Sequence, residues 1–403
     1  MQNGTMGSGD LLAGNDWLDP LEQQVRGGVR QFLQELIEQE VSEALGRLRH
    51  GRAPGAKGYR HGHRPRTLMG SFGRLELSVP RARIGGQGGP SREFHSALLP
   101  RYKRLTDSAN ALIAGAYLAG VNTRRVRLAL GRLFGGAVGK DTVSRAWRRV
   151  QGDFEAWNHR ALEGEPIVRV ILDGTVVRVR LDGQSTALSI LVAMAVREDG
   201  QKVLLGLRAL AGESQAAWSD LLQDLECRGL KRPELVIIDG GKGLEAALAA
   251  LWPSTTVQRC TVHKLRNLIA HAPKKLHEEL AGEYNAMIYA DSPAQVLTRR
   301  KAFLRKWRLR CPGVARSLEE AGERLFTFLR YPPQQWRSIR TTNAIERLHE
   351  EFKRRIKTQC VLPCADTACM MFWALLASGQ ITLRKVDGWQ TLHVQPNTLD
   401  IAA

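Results

Sequence analysis

The chain has no long apolar run. Its longest mostly apolar stretches, 187–196 and 368–377, fall short of the roughly 18 residues that suggest a membrane helix, so no membrane partner is expected. The opening MQNGTMGSGDLLAGNDWLDP carries no basic group and no apolar signal core, which predicts a chain that is not exported. Cysteine is sparse: Cys227, Cys260, Cys311, Cys360, Cys364 and Cys369 lack the density of a secreted disulfide framework, so reduced thiols and the cytoplasm are expected. No GxxxxGK[ST] motif occurs, which leaves ATP-driven chemistry and a nucleotide cofactor without support. Acidic residues are the last scarcity. Residues 51–150 hold 4 Asp/Glu against 20 Lys/Arg, which is +16 of a net +19, whereas residues 1–50 hold 8 against 4. Charge so one-sided predicts a polyanion partner, because a face kept for solubility intersperses both signs.

What is present suits a chain of two or three domains, 403 residues long and 43% hydrophobic. Over residues 21–48, Val25, Val29, Phe32, Leu36, Val41, Ala44 and Leu48 recur at helical spacing, giving an amphipathic helix that packs on its own domain or pairs with a second copy. The Gly-, Pro- and Arg-rich stretch that follows reads as a basic, partly extended arm with one short strand around Leu75, Leu77 and Val79. Such arms track phosphates or enter the minor groove; the plain alternative is a linker. From Ser108 to Val150 the pattern is helix, turn, helix and a third helix. The turn is Leu118-Ala119-Gly120-Val121, with Asn122-Thr123 capping GVNTRRVRLAL. In KDTVSRAWRRV, Val143, Trp147 and Val150 would pack inward. Thr142, Ser144, Arg145, Arg148 and Arg149, with Arg124 and Arg125 of the preceding helix, are the candidate DNA contacts.

At Ile167 the period changes. PIVRVILDGTVVRVRLDGQSTALSILVAMAV alternates as strands do, with Asp182-Gly183 as a hairpin turn; LLGLRAL is a third strand, SQAAWSDLLQDLECRGL a helix, and PELVIID a buried strand. Three strands, helix, strand and helix in one sheet is how a ribonuclease-H-like domain begins. After Leu268 some sixty residues read as helical and basic. They include RRKAFLRKWRLR, seven Lys/Arg with no acid, whose Phe303 and Trp307 suit a core better than base stacking.

Three acids stand out. Asp173 ends VRVIL, Asp239 ends LVII, and Glu346 lies in the first turn of a helix beside the inward stripe Ile345, Leu348, Phe352 and Ile356. Brought together they would repel unless a cation neutralised them. Mg²⁺ suits them, and two ions about 4 Å apart would serve an in-line displacement at phosphorus without a protein nucleophile. Each acid also has a plain reading: Asp173-Gly174 as a hairpin turn, Asp239-Gly240-Gly241 as a strand-to-helix turn, and Asn343-x-x-Glu346 as a capping pair. Cys260-Thr-Val-His263 is half of a zinc pattern with no second half, and Cys360, Cys364 and Cys369 suit an apolar helix.

Three blocks, ILDGT, VIIDGGKGL with QRCTVHKLRNL, and TTNAIERLHEEFKRRIKTQ, together resemble the Mutator-type family of bacterial insertion-sequence transposases, and the likeness covers nearly the whole chain. The resemblance implies an α/β fold with a ribonuclease-H-like catalytic domain of the DDE type. An all-helical insertion interrupts that domain, and an α-helical helix-turn-helix region precedes it. The segments would be 1–50 amphipathic helix, 51–105 basic arm, 106–155 helix-turn-helix, 160–270 catalytic domain, 271–335 insertion, 336–385 the catalytic domain's second part, and 386–403 tail. It makes Asp173, Asp239 and Glu346 the catalytic, metal-holding triad for Mg²⁺ or Mn²⁺, with Glu346 completing the site when DNA orders it. Cys260 and His263 form the accompanying C-x2-H element and Asn343 supports it. It implies double-stranded DNA partners, terminal inverted repeats and target, and at least a homodimer on DNA. The chemistry is strand cleavage followed by 3′-hydroxyl attack on new DNA. His349 departs from relatives, which often carry Asn there. The rival reading is a non-catalytic DNA-binding regulator derived from such an element, and a nuclease acting on RNA or hybrids stands behind it.

Overall fold

The chain divides into two units, Met1–Val150 and Gln151–Ala403. The computed structural model describes residues 20–85, 90–118, 123–131, 133–134, 139–357 and 361–398.

In the first unit, helix α1 (Pro20–Leu45) buries Ile37, Val41 and Leu45, spaced four apart and so on one face. That face shares Val41 with the stripe expected from sequence, and Val29 packs with Leu33 at the edge of the core, but Val25 and Phe32 are 54% and 60% exposed. Helix α1 lies against an antiparallel hairpin of β1 (Gly58–Gly70) and β2 (Gly73–Ile84), to which β3 (Arg92–Glu93) adds a short third strand. Strand β2 alternates as the sequence predicts, with Leu75, Leu77 and Val79 buried between exposed Arg74, Glu76 and Ser78. The partner strand was not expected. Its backbone pairs with β2 from Gly58 to Gly70, and two of its arginines are held locally. Arg66 donates to the carbonyls of Leu99, Pro100 and Lys103, and Arg60 pairs with Glu38 at 3.0 Å. Residues that resemble a free arm are thus bound into a sheet.

Three helices follow: α2 (Asp107–Leu118), α3 (Thr123–Gly131) and α4 (Lys140–Asn158). The expected turn at 119–122 and the side chain of Arg124 lie outside the described residues, and Arg125 is exposed. On α4, Val143 and Ala146 are buried and Trp147 packs on Tyr117 with ring centroids 4.8 Å apart. Arg145, Arg148 and Arg149 are exposed and Ser144 is half-buried. Thr142 corrects the reading from sequence. It is buried, because it falls on the same side as Val143 and Ala146. Arg149 is paired with Asp107 at 2.8 Å.

The second unit is built on a five-stranded sheet ordered β6-β5-β4-β7-β8. Strands β4 (Ile167–Leu181), β5 (Gln184–Arg197) and β6 (Lys202–Leu210) form an antiparallel meander; β7 (Leu235–Ile238) and β8 (Thr256–Arg259) run parallel to β4. Asp182 and Gly183 have φ of 48° and 80°, the two positive values a type I′ turn requires, so the β4–β5 hairpin closes where the sequence places it. Helices α5 (Gln215–Cys227) and α6 (Lys242–Leu251) cover one face with an apolar core that includes Val170, Leu172, Val236, Ile238, Trp218 and Trp252.

From α7 (Thr261–Ala270) the chain is helical: α8 (His277–Ile288), α9 (Pro293–Arg310) and α10 (Pro312–Ala321) pack together, with Phe303 and Trp307 buried between them. Much of the basic run on α9 is neutralised here. Lys306 pairs with Glu279 at 2.6 Å and also with Glu283, and Arg308 pairs with Glu319 at 2.5 Å. After α11 (Pro333–Ile339), α12 (Asn343–Ile356) and α13 (Ala365–Ala377) return to the sheet, where both contact β4.

Candidate active site

Asp173 lies inside β4, not at its end as the sequence suggests. The β-branched Thr175, Val176 and Val177 carry the strand on, and β5 pairs with it as far as Leu181. The shorter strand creates the edge instead. Leu172 pairs with Ile238, the last residue of β7, so Asp173 and Asp239 follow paired positions at the carboxyl end of that parallel pair. Side chains alternate along β4, so Val170 and Leu172 enter the apolar core while Arg169, Ile171, Asp173 and Thr175 take the opposite face.

Each acid has a backbone partner. Gly174 N donates to Asp173 Oδ1 at 3.0 Å and Gly241 N to Asp239 Oδ1 at 2.9 Å. Burial, and then the charge of Asp239, push the Asp173 carboxyl up to about 7. Glu346, in the first turn of α12, accepts from Arg266 Nη1 at 2.8 Å, and His263 Nε2 stands 3.2 Å from the same oxygen. A hydrogen bond with Cys260 and then the charges of Cys260, Asp173 and Glu346 raise His263 to about 9 against the opposing effect of burial. His263 is therefore cationic near neutrality and faces both Asp173 and Glu346.

Two residues tie this corner together. Thr342 is fully buried and occupies the N-cap of α12, yet its hydroxyl does not cap the helix. It lies 3.4 Å from both Cys260 Sγ and His263 Nδ1. The capping pair expected of Asn343 and Glu346 is therefore absent: Asn343 is the first helical residue and is exposed, and the Glu346 amide bonds to the Thr342 carbonyl. His349, one turn beyond Glu346, is buried with Nδ1 3.6 Å from Asp173 Oδ2 and its ring against Phe372. Burial first, then the charges of Lys353 and His263, depress it to about 3, so it stays neutral, and its Nε2 is without a partner.

Sequence reasoning missed Glu213 and Arg266. A Cβ added to Gly174 would fall 2.2 Å from Glu213 Oε1, so that glycine makes room for a fourth carboxylate. Burial and Asp239 hold the Glu213 carboxyl above the usual range. No local motif marks either residue, although Gly174 directly after Asp173 signals a close neighbour. Cys369 is buried, its thiol raised to about 12 by burial, and Cys364 lies 3.2 Å from Thr367 Oγ1; Cys360 lies outside the described residues.

Acids at the carboxyl edge of a mixed sheet, with a histidine and an arginine beside them, place this candidate active site in the charged class. The family comparison narrows that class. The profile described as "Transposase, Mutator family" matches residues 10–382, and the chain belongs to that family. The transposase for insertion sequence element ISRM5 of Rhizobium meliloti is 34% identical over 351 residues, covering 87% of this chain and 86% of that protein. The transposase for IS406 of Burkholderia multivorans is 29% identical over 400 residues, covering 98% and 95%. Among solved structures, the Drosophila P element transposase strand transfer complex aligns with 72% of this chain and 85% of that one at 10% identity and a TM-score of 0.30, too slight a likeness to carry an argument.

Proposed function

We propose that the chain is a DDE-type DNA transposase that binds the terminal inverted repeats of an insertion sequence and carries out metal-dependent cleavage and 3′-hydroxyl strand transfer. The observation that carries this reading is the pairing of Asp173 and Asp239 at one strand edge, with the Asp173 carboxyl pushed up to about 7. Two acids so placed lack a neutralising cation, and that deficit is what a divalent ion fills. The donor set suits Mg²⁺, with Mn²⁺ as a substitute. Glu346 is meanwhile engaged by Arg266 and His263, and among the described residues no three His, Cys, Asp or Glu side chains form a metal-binding group. In this reading Asp173 and Asp239 hold a cation first. Glu346 joins when DNA phosphates draw Arg266 and His263 away.

Bound there, two Mg²⁺ ions would offset the charge that builds on the reacting phosphate. In cleavage the oxygen of water joins phosphorus as the P–O3′ bond breaks, and the 3′ oxygen leaves as a hydroxyl. In strand transfer that hydroxyl gives up its proton and attacks a target phosphate, displacing the 3′ oxygen there. Cationic His263 and Arg266 serve the phosphate by charge. Neutral His349 backs Asp173 and excludes water.

The sheet order, two strands parallel to β4 on one side and an antiparallel meander on the other, supports a ribonuclease-H-like domain, with helices α8 to α10 as its insertion. The helices over 107–158 support a helix-turn-helix role for exposed Arg125, Arg145 and Arg148 on double-stranded DNA. Synapsis of two ends calls for at least a dimer, and the reading places the protein in the cytoplasm, on the nucleoid when DNA-bound. The test is cleavage and joining of labelled DNA carrying the repeats that flank the gene, with Mg²⁺, Mn²⁺ or EDTA, comparing wild type with Asp239→Asn. Metal-dependent products from wild type alone are expected. Equal cutting by both removes Asp239 from the site, and binding without cutting by both leaves the regulator reading.

A further inference from the structure

A groove of about 640 Å³ runs along α12, between that helix, the start of β6 and the segment 380–387, with Ile171 of β4 in its lining. Its walls are strongly basic. Lys202 on β6, Arg347 on α12 and Arg384 on the outer segment form no ion pair among the described residues, and Lys385 stacks its ammonium 4.1 Å from the Trp389 ring. The two acids that line it are already engaged: Glu351 accepts from Arg354 and Arg355 at 2.6 Å each, and Asp387 lies 3.3 Å from Arg337. Lys202 is half-buried, and burial lowers its pKa, with Arg347 adding to that shift and Asp387 opposing it.

The groove is built in advance. Val386 N donates to the Gly200 carbonyl at 3.0 Å, Gln201 Nε2 to the Leu383 carbonyl at 3.1 Å, and Ser338 Oγ to the Asp387 carbonyl at 3.0 Å, so the outer segment is fastened to the β5–β6 turn and α11. The cations come from separate walls, which suits an extended ligand with repeated charges. Glu346 and Arg347 are consecutive, about 100° apart around the helix. The groove therefore lies within about one helix diameter, roughly 10 Å, of the acid site, which is about three nucleotides at the 3.4 Å rise of one strand.

We propose that this groove binds the sugar-phosphate backbone of DNA next to the reacting phosphate, holding it by charge and without reading sequence. The inference rests on the transposase reading for its ligand, but its test needs no chemistry. Binding of full-length protein to a labelled duplex is measured in EDTA over a salt series, for wild type, Arg384→Glu, Arg347→Gln and Arg384→Lys, with melting temperatures as the folding control. Arg384→Glu is expected to weaken binding about tenfold, and each charge-removing variant to lower the salt slope by about 1. Arg384→Lys should retain both. Unchanged affinity and slope in folded Arg384→Glu and Arg347→Gln would overturn the proposal, as would inorganic tripolyphosphate competing at lower concentration than duplex phosphate, which would mark a small-anion site. The same series in the Asp239→Asn background separates the two ideas: groove-dependent binding there stands even where the catalytic reading fails.

Discussion

The two faces of strand β4 were given different work. Toward α5 and α6 it sends Val170 and Leu172 into a core where Trp218 and Trp252 are 1% exposed and the packed side chains are apolar. Toward α11, α12 and α13 it sends Arg169, Asp173 and Thr175, all buried. On that side Arg169 Nη1, Thr175 Oγ1 and His349 Nε2 have no hydrogen-bond partner. A buried polar atom left unpaired costs about 1–3 kcal/mol, so the second face spends stability that the first face supplies. Strain of this kind gathers where a protein must receive something charged.

Breaking the comparison at its strongest point gives the largest effect. Asp239→Asn, on the polar side, should lower cleavage by at least about a thousandfold, some 4 kcal/mol of barrier, while leaving the protein folded with an unchanged or higher melting temperature in EDTA. Trp218→Ala, on the apolar face, should do the reverse in kind: unfolding by urea should show a loss of about 3–5 kcal/mol, with cleavage per folded molecule preserved.

A subtler change sharpens the division. Arg266→Gln removes one of the two groups that hold Glu346 while its own side chain is largely exposed. Stability should move by under about 1 kcal/mol, and the Mg²⁺ concentration needed for half-maximal cleavage should fall severalfold, because Glu346 is freed toward the metal. A rise in that concentration would mean that Arg266 serves DNA more than it restrains Glu346.

The smallest effect belongs to Glu320 and its two cationic partners. Glu320 bridges Arg259 at 2.8 Å and Lys264 at 2.9 Å, and these bonds bring its carboxyl down to about 2 against the effect of burial. A carboxyl depressed in the folded state stabilises above its ordinary pKa and loses that contribution as pH falls through the folded value. Glu320→Gln should therefore cost about 1 kcal/mol near neutrality, a difference that shrinks between about pH 4.5 and pH 2 in acid unfolding curves. A difference that grows on acidification would contradict the pairing.

How much of this was legible in the sequence follows the range of the interactions. The β4–β5 hairpin was readable because Asp182-Gly183 fixes it locally, and β7 because four apolar residues end at an acid. The run of β4 past Asp173 was only partly legible: TVVRVRL alternates up to Asp182-Gly183, but Asp173-Gly174 also reads as a turn until the pairing with β5 is seen. Strand β1 was hidden for the same reason: its arginines read as an arm until Leu99, Pro100 and Lys103 supply carbonyls to Arg66. Thr342 was masked by Asn343, a better cap by type, because the partners of its hydroxyl are some eighty residues earlier. Family membership, by contrast, depends on the order of short blocks, which a sequence displays directly.

The most direct test of the central claim is a calorimetric Mn²⁺ titration of the DNA-free protein, comparing wild type with Asp173→Asn. The account predicts saturable binding by wild type that releases a proton near pH 7, and its loss in the variant. Equal binding by both would contradict it, because the cation would then be held somewhere other than between Asp173 and Asp239.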